Sequence, residues 1–138
     1  MKLRIIHIFA MLAVLLLLSS CVTSRDIHVD ISCDQFTQNN HAMNEFQVEI
    51  GDKITVKLCS NPTTGFQWEY EISEENVLKE EDHDFEEPEG DGVGAPGIEV
   101  WTFEAVAKGT TEVRMEYSRP WEGGEKEEWT YTMTVIVE

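Results

Sequence analysis

The sequence predicts an all-β protein, an antiparallel β-sandwich of immunoglobulin-like kind with seven to eight strands. Three observations carry that expectation. Beyond residue 26, apolar residues recur with period two in a series of short runs; glycine, proline and asparagine punctuate the gaps; and no run after the leader shows a helical period. A small barrel fits the same pattern and is the alternative architecture.

The leader stands apart from this pattern. Lys2 and Arg4 precede an apolar run from Ile5 to Leu18, too short for a comfortable membrane span and suited to the apolar core of an export signal. Leu18-Ser19-Ser20-Cys21 places small residues directly before a cysteine, which resembles the lipobox of exported prokaryotic lipoproteins. The resemblance implies cleavage before Cys21, lipid on its sulfur and amine, and an extracytoplasmic protein anchored to a membrane of the cell envelope. An ordinary signal peptide or an uncleaved anchor are the alternatives. Residues 1–20 are thus expected to be a signal peptide, 21–26 a tether and 27–138 one domain, since the 118 residues from Cys21 onward suffice for one core and not for two.

Each strand is justified by its own alternation. Ile27, Val29 and Ile31 alternate with His28 and Asp30, and Phe46, Val48 and Ile50 alternate with Gln47 and Glu49. Gly51-Asp52 makes a tight reversal into Ile54, Val56 and Leu58. Phe66, Trp68, Tyr70 and Ile72 follow, with Gln67, Glu69 and Glu71 facing water. A short strand is expected near 77–85, and residues 98–106 alternate around Trp101, Phe103 and Ala105. Lys108-Gly109-Thr110 turns the chain into Val113, Met115 and Tyr117, and Trp129, Tyr131, Met133, Val135 and Val137 form the last face.

Charge narrows the function. The chain has 27 Asp and Glu against 10 Lys and Arg, a net charge of -17, and without Lys2 and Arg4 the remainder carries -19. Such a surface argues against nucleic acid and favours a basic partner or a salty habitat. With Cys21 assigned to lipid, Cys33 and Cys59 form an even pair in a compartment that permits a disulfide. Their strand parity argues against one: Cys33 continues the face of Ile27, Val29 and Ile31, whereas Cys59 falls opposite Ile54, Val56 and Leu58.

Three connections are unusual. "NPTTGF", Asn61 to Phe66, is a stiff uncharged turn in which Asn61 caps its own backbone, Pro62 fixes φ and Gly65 supplies a positive φ. "GVGAPG" spans Gly92, Val93, Gly94, Ala95, Pro96 and Gly97, and "RPW" is Arg119, Pro120 and Trp121. If consecutive strands alternate in direction, all three lie at one end of the sandwich.

Their order and spacing, over roughly residues 44–138, are similar to those of chagasin-type inhibitors of papain-like cysteine proteases. The resemblance implies a reversible, competitive inhibitor whose three loops straddle the protease cleft. Thr63 and Thr64 would lie over the catalytic centre, Gly92 to Gly97 along one wall, and Arg119 to Trp121 on the other, with Trp121 an anchor and Arg119 a forked donor at the rim. No cofactor is implied, and a monomer is expected. The glycine-rich loop reads Gly-Ala-Pro-Gly where some relatives have paired glycines.

Two other classes account for less of the sequence. A calcium- or carbohydrate-binding sandwich would use the carboxylates of Glu80 to Glu89, but their spacing matches no EF-hand loop. An enzyme would need His28, His41 or His83 beside Cys33 or Cys59, and no motif links them. No enzymatic activity is expected.

Overall fold

The computed structural model describes residues 23–90 and 92–138. The lipobox and Cys21 lie outside the described residues, as does Asp91. Eight strands form two four-stranded sheets: β1 (Asp26–Ile31), β2 (His41–Val48), β3 (Lys53–Ser60), β4 (Gln67–Ile72), β5 (Leu78–Glu86), β6 (Gly97–Ala105), β7 (Gly109–Ser118) and β8 (Trp129–Val137). One sheet has the order β1-β3-β6-β5 and the other β2-β8-β7-β4.

The inward faces are the alternating positions read from the sequence. Ile54, Val56, Leu58, Trp101 and Phe103 from one sheet meet Val113, Met115, Tyr131, Met133 and Val135 from the other, all buried. Burial of these apolar faces is what drives two half-polar sheets together.

Two pairings depart from simple up-and-down order. β1 runs parallel to β3, and β2 parallel to β8, so the chain crosses between sheets twice before β3. The first crossing uses an element that the alternation did not predict, the helix α1 (Cys33–Gln38). Six residues are too few to display a helical period; the legible signal was the capping box, in which Ser32 and Gln35 satisfy each other's backbone amides. The second crossing is the turn at Gly51, where φ is +93° and the buried Asp52 carboxylate accepts from the amides of Glu49 (2.9 Å) and Arg25 (2.8 Å). β2 stops at Val48, so Ile50 is exposed in this turn instead of continuing the apolar face.

The helix also corrects the cysteine expectation. Cys33 and Cys59 form a disulfide. Ser32 ends the extended backbone and Cys33 opens the helix, so strand parity no longer governs where its sulfur points.

The remaining strands alternate in direction: β3 and β5 are antiparallel to β6, and β7 is antiparallel to β4 and β8. The connections 61–66, 87–96 and 119–128 therefore share one end. β1 begins, and β8 finishes, at the opposite end, beside the Gly51 turn.

Candidate functional site

The loop end stands on a column of aromatic rings. Phe36 of α1 stacks on Trp129 (5.0 Å between centroids), Trp129 on Tyr117 (4.8 Å), and Tyr117 on Phe66 (5.2 Å). The Arg119 guanidinium closes the column, 4.5 Å above the Phe66 ring. Phe66, expected in the core, is accordingly half-buried at its upper edge.

Above this column the first loop is a single 3-10 turn, Pro62–Thr64, capped by Asn61 and closed by Gly65 at φ +81°. Pro62 sits in the first turn, where its missing N–H costs nothing. The Asn61 Oδ1 accepts from the Thr63 amide (3.2 Å) and hydroxyl (2.6 Å), and the Thr64 hydroxyl donates to the Asn61 carbonyl (2.7 Å). Pro62, Thr63 and Thr64 are exposed, with both hydroxyls turned back onto Asn61. Gly65 lies under Trp121: a Cβ there would meet the indole Cη2 at 2.7 Å.

The second loop joins the first through one side chain, Asn61, whose Nδ2 donates to the Gly94 carbonyl at 2.8 Å. Val93 stands at its tip, fully exposed, with Gly92, Gly94 and Pro96 exposed beside it and Ala95 half-buried. Gly97 differs from its neighbours: it is buried at the start of β6, packed against Phe85 and the Glu86 carbonyl, so the exposed stretch ends at Pro96.

In the third loop Pro120 and Trp121 are exposed, the indole about half so (52%). Arg119 is not a free donor at the rim. Its Nε and one terminal nitrogen both donate to the Thr64 carbonyl (3.2 and 3.1 Å), and the other terminal nitrogen meets Glu125 at 2.6 Å. Three supporting residues escaped the sequence reading. Tyr117, read only as a core position, accepts the Asn61 amide on its hydroxyl (2.7 Å); Glu125 binds Arg119; and Lys126 donates to the Arg119 carbonyl (2.6 Å). Nothing in the spacing of Glu125 and Lys126 distinguished them from the surrounding charges.

The result is two uncharged loop tips, with a charged third loop beside them, on an acidic body. Asn61 to Phe66 and Gly92 to Pro96 contain no ionisable side chain, whereas 119–128 carries Arg119 and Lys126 against Glu122, Glu125, Glu127 and Glu128, with Arg119 paired to Glu125. Among the described residues no group of three or more His, Cys, Asp or Glu side chains is placed to hold a metal ion. Lys53 and Lys57 pair with Glu81 and Glu86, and Glu80 meets the Tyr70 hydroxyl. His41 bonds Thr130, His83 bonds Glu99, and Cys33 and Cys59 are joined in the disulfide, so neither of these two sulfurs is a free thiol.

The β-sandwich presents three mutually bonded loops at one end, the first of them an uncharged turn. Residues 47–135 match the family model of the chagasin family peptidase inhibitors, I42, and the chain belongs to that family. It is 32% identical over 91 residues to Amoebiasin-2 of Entamoeba histolytica, an alignment covering 65% of this chain and 74% of that one. The fold is similar to the crystal structure of the cysteine protease inhibitor EhICP2 from the same organism, with TM-score 0.63 and 22% identity over 83% of this chain and 95% of that one. It is also similar to PbICP-C, solved in complex with falcipain-2, with TM-score 0.54 and 13% identity over 83% and 98%.

Proposed function

We propose that the protein is a reversible, competitive inhibitor of papain-like cysteine proteases that occludes the active-site cleft with its three-loop end. The observation that carries this is the first loop's geometry in a member of a peptidase-inhibitor family. A protease cleft accepts an extended chain whose scissile carbonyl points at the oxyanion donors. Here the backbone is a 3-10 turn and not an extended strand, and three of its carbonyls are already engaged: that of Asn61 by the Thr64 amide (3.1 Å), that of Pro62 by the Gly65 amide (3.1 Å), and that of Thr64 by Arg119. The loop fills the cleft as a plug, and its turned backbone does not lie extended along the cleft as a substrate does. Pro62, Thr63 and Thr64 lie over the catalytic centre, 92–96 along one wall, and Pro120 and Trp121 on the other. Because the first loop is uncharged, little desolvation opposes its entry, and because it is internally bonded, little ordering entropy is lost. Inhibition of a papain-like protease panel, with product analysis for cleavage of the inhibitor, tests this. Competitive kinetics with intact inhibitor are expected; rapid cleavage near Thr63 would contradict it.

We further propose that the protein is exported and held to a membrane by lipid on Cys21. The supporting geometry is that Arg25, bonded to Asp52, lies at the end opposite the loops, so an anchor four residues upstream leaves the loops free. Expressed whole in a prokaryotic host, the protein should partition into detergent, and Cys21→Ser should release it or block processing. Unchanged processing and membrane association of Cys21→Ser would refute the lipid.

A further inference from the structure

We propose that Asn61 and Arg119 are positioning residues that tie the three loops into one body, leaving Pro62, Thr63, Thr64, Val93 and Trp121 to meet the partner. The part concerning a protease rests on the function proposed above; the part concerning the loops does not.

The polar groups of both side chains are spent inside the protein. Arg119 uses two nitrogens on the Thr64 carbonyl, a third on Glu125 and its face on Phe66. Its own backbone is fixed at both ends, the amide donating to the Glu125 carbonyl (2.8 Å) and the carbonyl accepting from Lys126. This is a fork geometry that a lysine cannot reproduce: an ammonium is a compact point charge and does not span the Thr64 carbonyl, the Glu125 carboxylate and the Phe66 ring together. Arg119 thereby joins the third loop to the first.

Asn61 joins the first loop to the second and is bonded through four groups. Its amide donates to Tyr117, its carbonyl accepts from the Thr64 amide and hydroxyl, its Oδ1 holds Thr63, and its Nδ2 holds Gly94. The last two roles separate chemically. An aspartate at 61 retains the acceptor for Thr63 but loses the donor and sets a carboxylate against the Gly94 carbonyl. The positioning role therefore predicts loosening of the second loop alone.

A positioning residue and a contact residue leave different kinetic marks. Loosening the loops lowers the fraction of molecules that can bind, which appears as slower association, whereas losing a direct contact speeds dissociation. Arg119→Lys keeps the charge, so electrostatic steering is unchanged and only the fork is lost.

The experiment measures amide exchange in the free full-length protein and both rate constants with papain. In Arg119→Lys the Thr64 and Gly65 amides are expected to exchange about tenfold faster while strand amides are unaffected, with association slowed about tenfold and dissociation changed less than about threefold. In Asn61→Asp the Ala95 amide, which donates to Gly92, should exchange faster while Thr63 and Thr64 stay protected. Unchanged loop exchange together with faster dissociation would make these contact residues and overturn the proposal, as would faster exchange with unaltered inhibition. Should Arg119→Lys melt the domain, strand amides report it, and Glu125→Gln, which weakens one arm of the clamp, is judged by the same two rates. If the wild type inhibits no papain-like protease, the function proposed above fails, and the exchange rates alone decide whether the two residues hold the loops.

Discussion

Gly65→Ala separates the cost of a turn from the cost of a binding surface. Gly65 has φ +81°, so a Cβ forces a left-handed conformation that costs an ordinary L-residue about 1 kcal/mol or slightly more. The new methyl also lies 2.7 Å from the Trp121 ring, whose exposed end can swing away. Domain stability should therefore fall by about 1–2 kcal/mol, or roughly 4–8 °C in Tm for a domain of this size. Binding should fall further, because Trp121 is displaced from the position it holds over the loop; full loss of an aromatic anchor is about 2 kcal/mol, some thirtyfold in Kd. Gly51→Ala is the matched control. Gly51 has φ +93°, open space within 4 Å of where its methyl would stand, and a place at the opposite end of the sandwich. Its loss of stability should be similar and its inhibition intact. Differential scanning calorimetry and inhibition of papain by both variants make the comparison. If the two variants lose inhibition equally, or if Gly65→Ala inhibits as the wild type does, the coupling of Trp121 to the first loop is refuted.

Other consequences concern the scaffold. Converting Cys33 and Cys59 together to serine opens a link spanning 26 residues, for which loop-closure entropy gives a loss of about 3.5 kcal/mol, read by denaturant titration of the oxidised wild type against the double variant. The Tyr131 hydroxyl is buried without a hydrogen-bond partner, so Tyr131→Phe should leave stability unchanged or raise it by up to about 1–3 kcal/mol; a large loss would reveal a partner. Burial pushes the Tyr131 phenol well above its ordinary range, and burial with the Glu80 hydrogen bond pushes Tyr70 up to about 12. Both favour the neutral form when folded, so their contribution should be full below pH 10 and decline as pH rises toward 12, less steeply in Tyr131→Phe. Burial opposes ionisation of Asp52, but the amides of Glu49 and Arg25 and the Arg25 guanidinium outweigh it and hold its carboxyl below the usual value. Its contribution is present above about pH 4 and lost as pH falls through the folded value, and Asp52→Asn should flatten that acid limb.

Much of this molecule was legible because period two is a strong signal. The faces of β3, β6, β7 and β8 lie where Ile54, Trp101, Val113 and Tyr131 placed them, each run being long enough to show its alternation. α1 was hidden by its brevity, and with it the disulfide, since a parity rule extended past Ser32 applies a strand's geometry to a helix. At the loop end, the Asn61 cap and the Gly65 conformation followed from local chemistry. The use of Arg119 did not: an arginine beside proline and tryptophan looks like a partner-facing donor, and only the tertiary placement of the Thr64 carbonyl and Glu125 shows where its hydrogen bonds go. Gly97 likewise belongs by motif to the second loop and by backbone pairing to β6.

The central claim is that the three-loop end binds the protease, and the most direct measurement compares two exposed positions at opposite ends. Trp121 and Lys108 are both at the surface, Lys108 in the connection between β6 and β7 that lies at the far end. Equilibrium inhibition of papain is measured for Trp121→Ala and Lys108→Ala, with melting curves recorded alongside. Trp121→Ala should weaken inhibition about thirtyfold and Lys108→Ala less than about twofold, both with Tm near that of the wild type. Equal weakening by the two substitutions at unchanged Tm would place the binding surface elsewhere and contradict the account.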